Sequence, residues 1–372
     1  MKRLLTFIGV LTVFSCSERF DFNVENPGLG LVVEASISDK SFVESFAFPS
    51  DGRYFKVKLS LTSDVDNVRN AKVTQAKVTL ISNSGEEWIY DEDPMDFGTY
   101  YLKDEFFGAE PNVAYKLMVD FARGEHFESS WEQMPSIDNM LGDFNIVETF
   151  EEQYTFEIDE FVIKNYRGVD VMLDVPEASV PSERFVRWSF EPMWVHRASL
   201  AALDFEGRFC WITNDKYLKE FVLQKDKGLP YEKKMFFLRT VRNEYVYEYF
   251  SALVHQEVMS EGYFQFWTDL EAQKDKGGLF DQPPFGLMTN WTTDEPNWTV
   301  YGYFGVVSEN AKRWEMTLTD LSYAVVNPLL EICEEISEVD PETGPDQCMD
   351  CRNYNQGKST NVPPTWWTRE LF

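Results

Sequence analysis

Histidine, cysteine and paired carboxylates are the side chains of this sequence with chemistry to offer. There are three histidines, His126, His196 and His255. None lies in a His-Glu-x-x-His pattern, so the helix-borne zinc-protease signature is missing. There is no Gly-x-Ser-x-Gly nucleophile elbow and no Gly-rich phosphate loop. Each histidine therefore reads as a core or surface residue. Carboxylates number 63. Glycoside hydrolysis needs two of them about 5–10 Å apart, one with a raised pKa. A chain this acidic meets that spacing by chance, so a pair alone marks no site. Asp64-Val65-Asp66-Asn67 and Asp91-Glu92-Asp93 are dense in the oxygen ligands that calcium takes. Neither follows the twelve-residue loop with its central Gly and final Glu, and both read as solvated acidic turns. No cofactor, metal or catalytic residue is expected.

The five cysteines are more informative. Cys16 follows Met1-Lys2-Arg3, the apolar run Leu4–Phe14 and Ser15. A basic start, a short apolar run and a small residue before a cysteine describe a secretory signal that ends at a lipidated cysteine. The run is too short to span a bilayer, which takes about 20 apolar residues. Acyl chains on Cys16 would anchor the protein stably, since each buried methylene contributes about 0.8 kcal/mol. Phe14 is bulkier than such signals usually carry. The remaining Cys210, Cys333, Cys348 and Cys351 are an even number in an exported chain, which reads as two disulfides with three possible connectivities. Cys348-x-x-Cys351 has zinc-ligand spacing, but the tail has no histidine and no thioredoxin-like setting. Structural disulfides are favoured. In one arrangement Cys333–Cys348 closes a short loop and Cys210–Cys351 pins the tail to the body; the sequence leaves the connectivity open.

These cysteines sit in a chain of 372 residues, 44% apolar and 16% aromatic, which is enough to build real cores. The formal charge is −29. That argues against a nucleic-acid partner, because nothing offsets phosphate repulsion, and against unaided binding to an anionic membrane. Removing residues 1–15 would take away Lys2 and Arg3 and leave −31. Residues 16–28 read as a polar tether.

From Leu29 the pattern is β. Phe55, Val57, Leu59 and Leu61 alternate with polar residues, as do Ala76–Leu80 and Tyr115–Val119. Turn signals at Asn83-Ser84-Gly85, Asp93-Pro94 and Phe97-Gly98 separate them. An N-terminal β-sandwich over 29–135 is expected, of carboxypeptidase-regulatory or immunoglobulin type, then a larger β-rich domain over 136–332. Strands are expected around 185–190, 244–247, 300–307 and 313–321. One main helix is expected over 260–276, with Ser260 as its cap and Tyr263, Phe264, Trp267 and Leu270 on its apolar face. The tail from 333 to 372 reads as a cysteine-containing loop packed on the second domain. Asn290-Trp291-Thr292 and Asn297-Trp298-Thr299 match a glycosylation sequon by chance, in a turn-rich stretch. Trp291, Trp298, Trp366 and Trp367 all lie in loop-like segments and are the candidates for exposed binding aromatics.

These residues carry a resemblance. Leu31 to Asp39, Gly98-x-Tyr100, Tyr115-x-Leu117-x-Val119, Ser260-Glu261-x-Tyr263, Gly278-x-Phe280-Asp281-x-Pro283-Pro284, Gly302-Tyr303-Phe304, Cys348-x-x-Cys351-Arg352 and Pro364-x-Trp366-Trp367 together resemble a family of Bacteroidota lipoproteins. It is number forty-two forty-nine in the domain-of-unknown-function series. Thr289-Asn290-Trp291 departs from its pattern. The resemblance implies an outer-membrane lipoprotein, often encoded beside a TonB-dependent receptor, and no known activity. The expected role is an accessory or binding subunit of such a transporter, with a glycan or peptide as ligand and the cell surface as location. The competing expectations are a free-standing glycan-binding adhesin and a hydrolase with an unrecognised carboxylate pair.

Overall fold

A computed structural model describes residues 29–62, 71–157, 159–274, 287–339 and 345–371. Cys16, the tether and Asp64-Val65-Asp66-Asn67 lie outside these residues. The fold is mainly β. The N-terminal part supplies β1 (Leu29–Ser38), the short helix α1 (Phe42–Ser45), β2 (Phe55–Leu61), β3 (Lys77–Ser82), β4 (Glu87–Glu92), β5 (Thr99–Leu102), β6 (Ala114–Asp120), β7 (His126–Ser129) and β8 (Glu132–Gln133). There follow β9 (Phe144–Glu157), β10 (Glu160–Val175), β11 (Arg184–Arg197), β12 (Phe209–Thr213), β13 (Val222–Asp226), β14 (Tyr231–Arg239) and β15 (Tyr249–Val258). The last part holds α2 (Glu261–Lys274), β16 (Trp291–Thr293), β17 (Trp298–Met316), α3 (Pro328–Val339), α4 (Asp346–Met349) and β18 (Lys358–Thr360).

The predicted alternation is visible in the burial. Phe55, Val57 and Leu59 are buried and the residues between them are not. Tyr115, Leu117 and Val119 repeat this on β6. These inward side chains meet those of β1, β3, β5 and β7 in one core that includes Leu31, Val78, Tyr100 and Phe127.

The 19-residue strand β17 organises the rest. Its first half, Trp298 to Val307, pairs in parallel with the whole of β1. Its second half, Ser308 to Met316, pairs antiparallel with β15. A single sheet thus runs from β16 through the N-terminal strands and β17 to β15, β11, β12 and β18. The boundary expected at 135/136 therefore does not separate the cores. Trp291, Val300, Phe304 and Val306 come from the late chain and are buried in the N-terminal core. The second core gathers β10, β11, β14, β15 and the end of β17 around Trp188, Trp194 and Phe250.

Three local expectations are corrected. Residues 300–307 and 313–321 are not two strands: one strand continues through 316 because it has a partner on each half. Residues 244–246 form a 3₁₀ turn, since the Asn243 side chain accepts a hydrogen bond from the Tyr245 N–H and caps it. The tail is not all loop either. Asn327 caps the backbone N–H groups of Leu329 and Leu330, Pro328 starts α3, and Leu329 and Cys333, four apart, face the core. Cys333 pairs with Cys348 and Cys210 with Cys351, both at disulfide distance.

Candidate ligand cavity

Alternation gives each strand of the N-terminal sheet a second face, and in β1, β2, β5 and β17 that face is partly covered. It floors a cavity of about 890 Å³. Glu34 and Ser36 of β1, Lys56 of β2, Tyr101 of β5 and Tyr301 and Tyr303 of β17 point into it. Its roof is α2, through Tyr263, Phe266, Trp267 and Leu270. Ser260 caps α2 as expected: its Oγ accepts from the Tyr263 N–H and donates to Glu132. The helix lies close to the sheet because Gly305 offers no side chain; a Cβ there would run into the Tyr263 ring. Tyr263 stacks on Tyr303 at 5.3 Å, and the Tyr303 hydroxyl donates to Glu132 at 2.7 Å. Of the face predicted for the helix, Tyr263, Trp267 and Leu270 close the cavity, while Phe264 packs on Phe185 and Phe266, not predicted, lines the cavity beside them.

Charged groups form one end of the cavity. Arg187 holds Glu257 at 2.6 Å and lies 3.9 Å from the centre of the Trp267 ring. Arg53 and Glu191 also line this end, and both reach into a buried network behind the wall. Glu309, almost wholly buried, accepts hydrogen bonds from Ser38 Oγ at 2.6 Å, His255 Nδ1 at 2.9 Å and the Arg53 guanidinium. Its own N–H donates to Asp39. His255 Nε2 lies 3.2 Å from Glu191 Oε1. Burial opposes the charge on His255, but the two flanking carboxylates outweigh it and push its pKa up to about 9. Burial likewise opposes the Glu309 charge, and His255 with Arg53 brings its carboxyl down to about 2. Nδ1 is hydrogen-bonded to Glu309, and Nε2 has Glu191 beside it without hydrogen-bond geometry, so carboxylates on both sides favour the protonated imidazole, which has no lone pair to take a substrate proton.

Two charges at the cavity have no such commitment. Among the described residues, Lys56 and Glu34 make no ion pair or hydrogen bond through their side chains. Glu34 faces Lys58 across the β1–β2 pair, so Lys56 is its diagonal neighbour on the same face, about 7–8 Å away by ordinary sheet geometry. Lys56 is exposed, yet the protein around its amine partly desolvates it and, with Lys58 nearby, pulls it below the usual lysine range.

The residues singled out from sequence fall elsewhere. Trp291 is buried in the N-terminal core, and Trp298 packs on Phe121 and Phe127 beside it. Trp366 and Trp367 pack instead against Trp211 and Tyr249, and Arg313 lies 3.9 Å from the centre of the Trp366 ring. The four tryptophans form no common surface: loop-like sequence did not mean exposure, because both segments are held down by neighbouring strands. Asn290 is likewise engaged. Its amide donates to the Phe304 carbonyl and accepts from the Phe304 N–H. In Asp91-Glu92-Asp93, Glu92 accepts from the Gln75 and Gly98 N–H groups and Asp93 from Met95, which is turn chemistry. Among the described residues no three His, Cys, Asp or Glu side chains converge as a metal site would. His126 pairs with Asp120 at 2.6 Å, and His196 stacks on Tyr354 while burial lowers its pKa.

Sequence reasoning missed Glu34, Arg53, Lys56, Tyr101, Arg187, Glu191, Phe266 and Tyr301. The available signal was weak: polar and aromatic residues at the outward positions of β1, β2 and β17.

Compared with known proteins, residues 18–313 match the family described as a domain of unknown function, DUF4249. The tail motifs after 313 lie beyond that match. No curated protein and no solved structure matches the chain.

Proposed function

The chain belongs to the DUF4249 family, a domain of unknown function, so its role has to be read from its own residues, and we propose that it is a binding protein whose cavity takes a short peptide. In this reading the ligand carboxylate meets Lys56, its amine meets Glu34, and an apolar side chain lies against Phe266 and Trp267. The observation that carries the reading is a half-open, aromatic-lined cavity in which the uncommitted charges are one amine and one carboxylate on the same face. Both side chains reach solvent at the cavity and neither is spent on a neighbour, so a zwitterion would pair with both at once. The aromatic floor, Tyr101 and Tyr301, gives a second reading: flat rings also stack on sugar faces, so an acidic oligosaccharide is the competing ligand.

The protein is further proposed to be lipid-anchored in the outer membrane through Cys16, facing the cell surface, and to serve a TonB-dependent transporter as accessory subunit. The signal-like start of the sequence and the family membership support this.

Isothermal titration with a pool of tri- to pentapeptides and, separately, with oligouronides tests the cavity. Saturable peptide binding, weakened at least tenfold by Lys56→Gln and by Glu34→Gln, is expected. Binding of oligouronides alone would favour the sugar reading, and no binding of either pool would remove the cavity as a ligand site. Cys16→Ala is expected to leave the membrane fraction. Recovery of the native protein from outer membranes with no transporter attached would count against the accessory role.

A further inference from the structure

The longest hairpin of the protein extends beyond its support. β9 and β10 pair along their whole length, from Glu157–Glu160 to Phe144–Leu173. β14 backs β10 only from Gly168 to Val175. Residues from about 150 to 157 and from 160 to 167 therefore form a two-stranded ribbon with no third strand among the described residues, and such a ribbon is marginal alone in water. Its root is well fastened. Glu148 accepts from the Ser322 N–H and Oγ, both at 2.6 Å, and Arg167 lies 3.5 Å from the centre of the Tyr323 ring.

The register puts a row of apolar side chains on one face of this ribbon. Phe156 opposes Phe161 and Tyr154 opposes Ile163, while Phe150, four residues before Tyr154 on β9, shares their face. All five are exposed, from 56% for Ile163 to 76% for Tyr154. The apolar area presented is on the order of 500 Å², at about 200 Å² per aromatic side chain. A patch of that size is of the order of the largest on a typical monomer, which is often functional, and would supply more than half of the roughly 800 Å² that each side of a standard protein interface buries. Beyond its β10 partner, β9 also has no strand on its outer edge among the described residues.

Charge selects the occupant. Residues 150–167 carry five acidic side chains against two basic ones. A second copy would bring the same acidic ribbon and a chain charge of −29, and like charges at close quarters repel. An anionic lipid surface is disfavoured for the same reason, and an open two-stranded ribbon cannot enter hydrocarbon with unpaired edges.

We propose that the 150–167 ribbon is a docking arm for another protein, one that presents an apolar groove rimmed by Lys and Arg. The rings of Phe156 and Phe161, in contact at 5.0 Å, form the anchor, and the acidic side chains steer and orient the encounter. This inference rests on the arm alone and stands whether or not the cavity or the anchor is as proposed above.

The test places a photo-crosslinking phenylalanine analogue at Tyr154 or at Ile163 of the full chain in its native cells, with Leu203, exposed elsewhere, as control position. Adducts are digested and sequenced. The expected result is one discrete adduct from both arm positions and none from 203, with the crosslinked partner segment apolar and flanked by Lys or Arg. Binding of that purified partner should fall about 30-fold or more in Phe156→Ser/Phe161→Ser and weaken as salt rises. The double variant's thermal unfolding should match that of the wild type, because neither ring belongs to a core. Adducts to a second copy, to lipid or to nothing would overturn the proposal, and so would a partner segment without basic residues or binding indifferent to the double substitution.

Discussion

The His255–Glu309 network makes a prediction whose sign and size can be worked out. His255 is buried between Glu309 and Glu191, with Arg53 behind Glu309 and Arg313 near Glu191. Its pKa is raised from 6.5 to about 9. A histidine held protonated by the fold stabilises it fully below its unfolded pKa, and that contribution is lost as pH rises through the folded value. The window is therefore about pH 6.5 to 9, and the loss is on the order of 3 kcal/mol. Glu309, held near 2, has the opposite edge: its contribution is present above about 4.5 and disappears as pH falls through about 2. Both values describe one ion pair and are not to be added. His196 works against the first trend, since burial lowers its pKa and its neutral form is favoured as pH rises through 6.5. The comparison must therefore be made against a variant. Urea unfolding of wild type and His255→Gln at pH 6 and pH 9.5 gives the two pH dependences. Wild type should lose about 3 kcal/mol more than the variant across that interval. Parallel losses would mean that His255 is not the buried cation described here.

The remaining predictions concern the covalent and packed supports of the fold. The bond between Cys210 and Cys351 spans 141 residues and that between Cys333 and Cys348 spans 15. In the chain-entropy picture Cys210→Ser/Cys351→Ser costs about 5 kcal/mol and Cys333→Ser/Cys348→Ser about 3. Urea titrations of the two double variants should rank in that order. Gly305→Val drives a side chain into the Tyr263 ring. It should cost about 1–3 kcal/mol by overpacking and abolish peptide titration, while Cys210–Cys351 still forms, as mass mapping would show.

Much of this protein's local structure is legible in its residues. Alternation at Phe55–Leu61 and Tyr115–Val119 assigned both the strands and their buried faces, because a strand turns every second side chain to the same side. Ser260 and the Tyr263–Trp267–Leu270 spacing located α2, since capping and a 3.6-residue period are local properties. The even cysteine count implied two disulfides. What alternation cannot supply is the neighbour. It gave the two halves of β17 their strand character but not their partners, and so not the continuity of a strand bonded to β1 on one half and β15 on the other. Glu34 and Lys56 are wet-face residues in sequence and in structure, but α2, arriving from more than two hundred residues later, roofs part of that face and makes it the floor of a half-open cavity. Trp291 read as a loop residue until β16 paired with β7 and turned it inward. Glu309, His255 and Arg53 are separated by up to 256 residues; the antiparallel pairing of β15 with β17 sets His255 beside Glu309, and the docking of β17 on β1 brings the early chain to them. The sequence by itself determined which residues could form strands, caps and disulfides, because those depend on near neighbours. The cavity, its charges and the unsupported arm were decided by the tertiary structure, because each depends on which distant strand closes beside another and where that closure stops.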